Sequence, residues 1–257
     1  MNRDVKSDET LDVLGANRLK FIQPKTGYRF SIDSLLLWGF LRPARDQRWV
    51  DLGTGCGILA IALAKINGVK EAVGVEIQPE LVELARRNAR LNFVENHVSF
   101  VTGDIRDVSL LKTFASADGV CVNPPYYAPG SGRLNPDAQK AVARHEIKGT
   151  INDFIRAGSL LLSRGSVFDI ILPVQRLQDA LKILQETKLY PSRMRPVHSY
   201  GNTPATLVLI EAVKGKKSIF SLEPPVVVYK SKKIYTQEIQ ELMNLHSLKN
   251  FYIVKPP

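Results

Sequence analysis

Residues 48–57 read Arg-Trp-Val-Asp-Leu-Gly-Thr-Gly-Cys-Gly, a short apolar strand that runs directly into a loop with glycine at 53, 55 and 57. The next nine residues place Ile58, Ile61, Ala62 and Ala64 at helical spacing. Strand, glycine loop and helix in that order open a nucleotide-binding α/β unit, because glycine permits both the tight turn and the close approach of backbone to ligand. The segments that follow keep the alternation. Strand patterns fall at 72–77, 98–101, 119–122, 166–172 and 206–211, and helix patterns at 79–92 and 177–187. Such alternation predicts a mostly parallel, doubly wound α/β sheet covered on both faces.

The length and composition agree. At 257 residues and 44% hydrophobic content, the chain can bury one sizeable core. Charged residues at 23% and a mean hydropathy of −0.08 argue against a disordered chain and against a multi-span membrane protein. The first residues are polar and do not read as a signal peptide. Cys56 and Cys121 are too few for a disulfide scaffold, which fits a reducing cytoplasm. His97, His145, His198 and His246 are scattered, so no metal is expected. The organisation expected is an N-terminal segment over 1–47 that contributes to the site, a main domain over 48–213, and a basic extension over 214–257, packed or flexible. Within 126–148 lies a polar insertion of the kind that is usually functional.

Charge is distributed unevenly. The total is +10, with +3 in residues 1–50, −2 in 51–120, +5 in 121–200 and +4 in 201–257. Positive flanks around a negative centre suit a polyanionic partner, and a generally basic soluble protein is the plain alternative.

The acidic residues near the glycine loop indicate which nucleotide it takes. Glu76 closes the second strand, 23 residues after Gly53, where a carboxylate can accept from both hydroxyls of a ribose. The third glycine comes too early for the dinucleotide fingerprint, and Asp51 would repel a pyrophosphate. S-adenosylmethionine (SAM) has no phosphate, and its ammonium group suits Asp51. Gly53, Thr54, Gly55 and Gly57 would form its cradle. Asp104, with Ile105 beside it, would meet the adenine. The alternative is a glycine-rich turn with surface carboxylates.

Asn123-Pro124-Pro125-Tyr126 follows the fourth strand and so lies at the ligand edge beside the glycine loop. The Asn123 side-chain oxygen and the Pro124 carbonyl can accept both protons of a planar NH2 group and aim its lone pair. Tyr126 offers a stacking face, and a proline-rich turn with packing tyrosine is the plain reading.

Taken together, the glycine loop, Glu76, Gly103-Asp104 and Asn-Pro-Pro-Tyr resemble SAM-dependent amino-methyltransferases. The stretch Gln23-Pro24-Lys25-Thr26-Gly27-Tyr28-Arg29-Phe30-Ser31-Ile32-Asp33-Ser34-Leu35-Leu36-Leu37, with Ala143-Arg144-His145-Glu146, is similar to bacterial methyltransferases acting on N6 of the adenosine beside the anticodon of valine tRNA. The resemblance covers about residues 15–212. It implies a seven-stranded Rossmann-like methyltransferase sheet with an antiparallel last strand at 206–211, and Phe30 and Ser31 near the methionine part of SAM. The expectation is therefore a cytoplasmic SAM-dependent enzyme that methylates an adenine N6 in structured RNA, most plausibly tRNA. Asn123, Pro124 and Tyr126 would be its catalytic residues, and Pro125, Tyr127, Arg133, Lys140 and Arg144 would contact substrate. Glutamine N5 methylation of a release factor or ribosomal protein, guanine N2 methylation of ribosomal RNA, and a non-catalytic SAM- or RNA-binding scaffold stand as alternatives.

Overall fold

The computed structural model describes residues 5–15, 19–26, 29–125 and 149–244. Two strands come first, β1 (Glu9–Leu14) and β2 (Leu19–Pro24), which pair antiparallel as a separate hairpin. Helix α1 (Ile32–Phe40) follows, with Ser31 as its N-cap. The main body alternates β3 (Arg48–Leu52), α2 (Ile58–Ala62), β4 (Glu71–Glu76), α3 (Pro79–Leu91), β5 (Val98–Thr102), α4 (Val108–Lys112) and β6 (Ala117–Val122). It continues through α5 (Ile151–Leu161), β7 (Leu162–Pro173), α6 (Leu177–Glu186), β8 (Leu189–Tyr200) and β9 (Ala205–Lys214).

The sheet order β5-β4-β3-β6-β7-β9-β8 is parallel from β5 to β7 and reverses at β9. This is the expected doubly wound sheet with its antiparallel strand. The order switches direction between β3 and β6, and in open α/β sheets a ligand crevice forms outside the strand ends at such a point.

Alternation along the strands sends side chains to two cores. Val50, Leu52, Val73, Val75, Val120 and Val122 face α4, α5 and α6. Trp49 and Cys121 face the opposite layer of α1, α2 and α3. The strand before β9 was not expected from the sequence. Its residues 189–200 include Pro191, Pro196, Arg193 and Arg195, which argue against a sheet interior. The structure accommodates them by register shifts at 191/193 and 197/198 and by a buried ion pair, Arg193 to Glu211 at 2.7 Å. The Arg193 guanidinium also lies 3.6 Å from the centre of the Phe40 ring.

The tail joins the sheet. Strands β10 (Ser221–Leu222) and β11 (Val226–Ser231) pair parallel with β8, and β12 (Ile234–Tyr235) pairs with β11. Helix α7 (Gln237–Asn244) buries Ile239 and Leu242, the latter against Gly39 of α1. Among the described residues no helix is long and apolar enough to cross a membrane.

Candidate active site

A cavity of about 280 Å³ opens at the carboxyl ends of β3, β4, β5 and β6. The glycine loop reaches it through Gly53. The Gly53 and Thr54 amides both donate to the Val75 carbonyl, at 2.8 and 3.1 Å, so the loop lies across the end of β4. Gly53 and Gly57 sit at φ +74° and +86°, where an L side chain is strained. A Cβ at Gly57 would also lie 2.8 Å from the Phe100 ring, and one at Gly53 would lie 3.1 Å from Phe154. The residue type is therefore dictated by backbone shape and by space.

Glu76 stands on the cavity wall, largely buried. One carboxylate oxygen accepts from the Gly55 amide at 3.1 Å. The other accepts from the Gln78 backbone amide at 3.1 Å and its side chain at 3.0 Å. A carboxylate has about four acceptor positions, so these three bonds fix its rotamer and leave one position; a vicinal diol would take that one and the position now held by the Gln78 side chain.

Asp104 and Ile105 also line the cavity, after β5. Arg106 grips the Asp104 carboxylate through Nε at 2.9 Å and its terminal nitrogen at 2.5 Å, and holds it below the ordinary carboxylate range. On the opposite wall, Asn123, Pro124 and Pro125 extend from β6. The Asn123 side-chain amide donates to the Ser34 hydroxyl at 2.9 Å. Ser34 is buried in the first turn of α1 and faces the same cavity. That bond orients the amide with its nitrogen end toward α1.

Five of the expected residues do not line this cavity: Phe30, Asp51, Thr54, Gly55 and Gly57. Phe30 packs edge-on against Phe21, and its amide donates to Gln23. Asp51 is enclosed beneath the loop. It accepts from the Thr54 hydroxyl at 2.5 Å, which ties it to the loop. Burial pushes its carboxyl up to about 7; the Thr54 hydroxyl, with the polar groups of Ala60 and Cys121 nearby, opposes that rise and the Glu76 charge adds to it. Gly55 and Gly57 contribute backbone shape, and Ser31 does line the wall. Tyr126, Tyr127, Arg133, Lys140 and Arg144 lie outside the described residues.

The cavity also holds residues that the sequence reading passed over. Phe154 projects from α5, whose start is marked by a capping box between Thr150 and Asp153. That box, with apolar residues at 151, 154 and 155, is the signal for the helix. Ser34, in the first turn of α1, is another. Arg29 lines the rim and is held by Asp12 at 2.7 Å and Thr10 at 2.8 Å, both from the hairpin.

The chain resembles proteins of known identity over most of its length. It is 30% identical to the tRNA1(Val) (adenine(37)-N6)-methyltransferase of Porphyromonas gingivalis, over 78% of this chain and 80% of that one. It is 29% identical to the enzyme of the same name from Actinobacillus succinogenes, over 84% and 89% of the two chains. Residues 43–130 match the TRM5/TYW2 methyltransferase domain. Its fold superposes on a predicted O-methyltransferase from Agrobacterium tumefaciens with a TM-score of 0.65, at 19% identity, over 82% of this chain and 95% of that one. It also superposes on M. jannaschii TYW2 in complex with AdoMet with a TM-score of 0.54, at 17% identity, over 81% and 86%.

Proposed function

The chain belongs to the tRNA1(Val) (adenine(37)-N6)-methyltransferase family, and on that premise we propose that it methylates the exocyclic N6 of the adenine beside the anticodon of a tRNA, in the cytoplasm. The observation that carries this reading is the meeting, in one cavity, of Asn123-Pro124 at the end of β6 with Glu76 at the end of β4.

The cavity suits SAM. Gly53 meets the cavity without a side chain, and Glu76 is held in place with an acceptor position left for a ligand hydroxyl. Glu76 would hold the ribose hydroxyls, and Asp104 and Ile105 would flank the adenine. Ser31 would sit near the methionine part. Asp51, beneath the loop and raised to about 7 by burial, would be drawn into its charged form by an ammonium bound above it. When bound, SAM supplies a methyl group already activated by its sulfonium.

The chain's own task is then to present the acceptor nitrogen. The target base would leave its stack and enter the mouth of the cavity. The Asn123 side-chain oxygen and the Pro124 carbonyl accept its two N–H bonds, which turns the nitrogen lone pair away from them. Ser34 keeps the Asn123 amide from flipping. Prolines 124 and 125 restrict the loop, so little orientation is lost on binding. Tyr126 stacks on the base. A strong general base is unnecessary, because the nitrogen sheds its proton after the methyl has been transferred.

The test delivers labelled methyl from SAM to total tRNA and to purified release factor, followed by mass spectrometry of nucleosides and peptides. N6-methyladenosine at position 37 is expected. Methylglutamine, or methylguanosine, in its place would overturn the proposal. Asn123→Ala should cut turnover by about 10²-fold through lost orientation, with SAM affinity little changed.

A further inference from the structure

The far end of the sheet carries a cluster that the cavity does not use. Tyr200 at the end of β8, Tyr229 in β11 and Tyr235 in β12 form a continuous stack. The Tyr200 and Tyr229 ring centres are 5.6 Å apart at 35°, and those of Tyr229 and Tyr235 are 5.0 Å apart at 18°. Lys232 and Lys233, both exposed in the β11–β12 turn, line the same shallow depression of about 340 Å³. Among the described residues no carboxylate lines it.

Strand direction determines where this cluster faces. β8 and β11 are parallel to one another, and β8 is antiparallel to β9, which is antiparallel to β7. Hence β8 and β11 point the same way as β3, β4 and β6, and the cluster emerges at the ligand edge. From β6 it is four strand spacings along the sheet, through β7, β9, β8 and β11. Register adds height. Val122, Ile170, Ile210 and Met194 share one level, so Asn123 is one residue past it and Tyr200 is six. At about 4.8 Å per strand and about 3.3 Å per residue, the cluster stands on the order of 25 Å from Asn123, raised above the cavity mouth.

Aromatic faces interleaved with ammonium groups match the two parts of a nucleic acid. Rings accept bases or ribose, and lysines neutralise phosphates. We propose that the Tyr200–Tyr229–Tyr235 stack with Lys232 and Lys233 is a second RNA-binding site, which grips the substrate RNA away from the base being modified. This rests on the tRNA reading above for the identity of the RNA. It assigns a role to the lysine-bearing tail, whose charge the catalytic cavity does not need. A ligand that bridges both sites must be a structured RNA, since a free nucleotide spans only one of them.

The experiment uses the full chain with Lys232→Gln and Lys233→Asn together. Lys233 sits at φ +63°, a conformation that asparagine tolerates, so the backbone is not newly strained. Binding of full-length tRNA is followed by fluorescence anisotropy across a salt series. Methylation kinetics are measured on full-length tRNA and on a short anticodon stem-loop. Expected are a salt slope lower by about 1 per lysine, a higher KM for full-length tRNA, an unchanged kcat, and no effect on a stem-loop too short to reach the cluster. Cross-linking of 4-thiouridine-labelled tRNA should map to one of the three tyrosines. An unchanged slope with an unchanged KM for full-length tRNA would overturn the second site. If the wild-type protein methylates no RNA, the proposed function fails; the binding arm still decides the second site, because a lowered slope supports it and an unchanged slope does not.

Discussion

Glu76 and Ser34 act on the same cavity through different physics. Glu76 offers charge-assisted acceptors to a diol, and its own geometry is set by the Gly55 and Gln78 amides. Glu76→Ala removes those acceptors and leaves the Gly55 amide without its partner. SAM affinity should fall by about 1.5–3 kcal/mol, roughly 10- to 150-fold, by calorimetric titration. Ser34 touches no reacting atom in the proposed mechanism; it orients Asn123. Ser34→Ala loses one hydrogen bond worth about 1 kcal/mol, so kcat should fall by up to about fivefold and the melting temperature by about 2–4 °C at most, with SAM affinity retained. A loss confined to melting temperature would make Ser34 a packing residue only. The sequence made Glu76 and Asn123 visible because each closes a strand beside a recognisable loop. Ser34 was hidden because its partner is 89 residues away.

At the scale of elements, the N-terminal hairpin is attached by side chains and not by the main sheet. Asn88 and Asn92, one turn apart on α3, each treat β2 as a neighbouring strand. The Asn88 oxygen accepts from the Ile22 amide at 2.8 Å while its nitrogen donates to the Ile22 and Cys56 carbonyls, at 3.2 and 3.0 Å. Asn92 does the same to Lys20, accepting at 2.9 Å and donating at 2.7 Å. Glu9 of β1 pairs with Arg87 at 2.6 Å. The hairpin in turn holds Arg29 at the cavity rim. Asn88→Ala leaves buried backbone groups unpaired, at a cost of about 2–4 kcal/mol. Hydrogen exchange should rise across 19–24 while β3 and β4 stay protected, and SAM affinity should weaken. Uniform loss of protection across the chain would mean that the hairpin is not a separate unit. This dependence explains why β1 and β2 were illegible in the sequence. They are short, they mix apolar with charged residues, and tertiary amides, not pattern, decide their pairing. β8 escaped for a related reason: its prolines and arginines argue against a strand, and only the Glu211 and Phe40 partners make them tolerable.

Across the whole molecule, one rung of the sheet is polar from the cofactor loop to the tail. In register, Asp51 on β3 meets Cys121 on β6, then Asp169 on β7, Glu211 on β9 and Arg193 on β8. All five are buried or nearly so, on the face covered by α1 and α2. Glu211 is charged: burial opposes this, but Arg193 outweighs it and leaves the carboxyl below its ordinary range. Asp169 is the opposite case. Among the described residues neither of its oxygens has a hydrogen-bond partner. Burial first, and the Glu211 charge second, raise its carboxyl well above the usual range against the pull of Arg193 and Arg42. Its surroundings therefore favour the protonated carboxyl over the carboxylate. A single aspartate inside the apolar run 167–172 is visible in the sequence, but its neighbours on the rung appear only once register is known.

The rung has a consequence for stability, and its sign follows from proton counts. For Asp51 and Asp169 the folded carboxyl titrates above the unfolded one, so from about pH 4 upward the native state keeps protons that the unfolded state has shed. Stability contributed by such a group is present below the unfolded pKa and lost as pH rises toward the folded value. Carboxylates with lowered values, Glu9, Asp104 and Glu211 among them, gain their stability below about pH 5 and are ionised in both states above it. Between pH 5 and 7 the raised pair therefore dominates the carboxylate contribution, at up to about 1.4 kcal/mol per pH unit for each group. Asp169→Asn keeps the shape and removes one of the two titrations. Urea unfolding at pH 5, 6 and 7 should show wild-type stability falling with pH, and the variant falling less steeply by about 1.4 kcal/mol per unit at most. An identical slope in both proteins would mean that Asp169 is ionised in the fold, with Arg193 shared between it and Glu211.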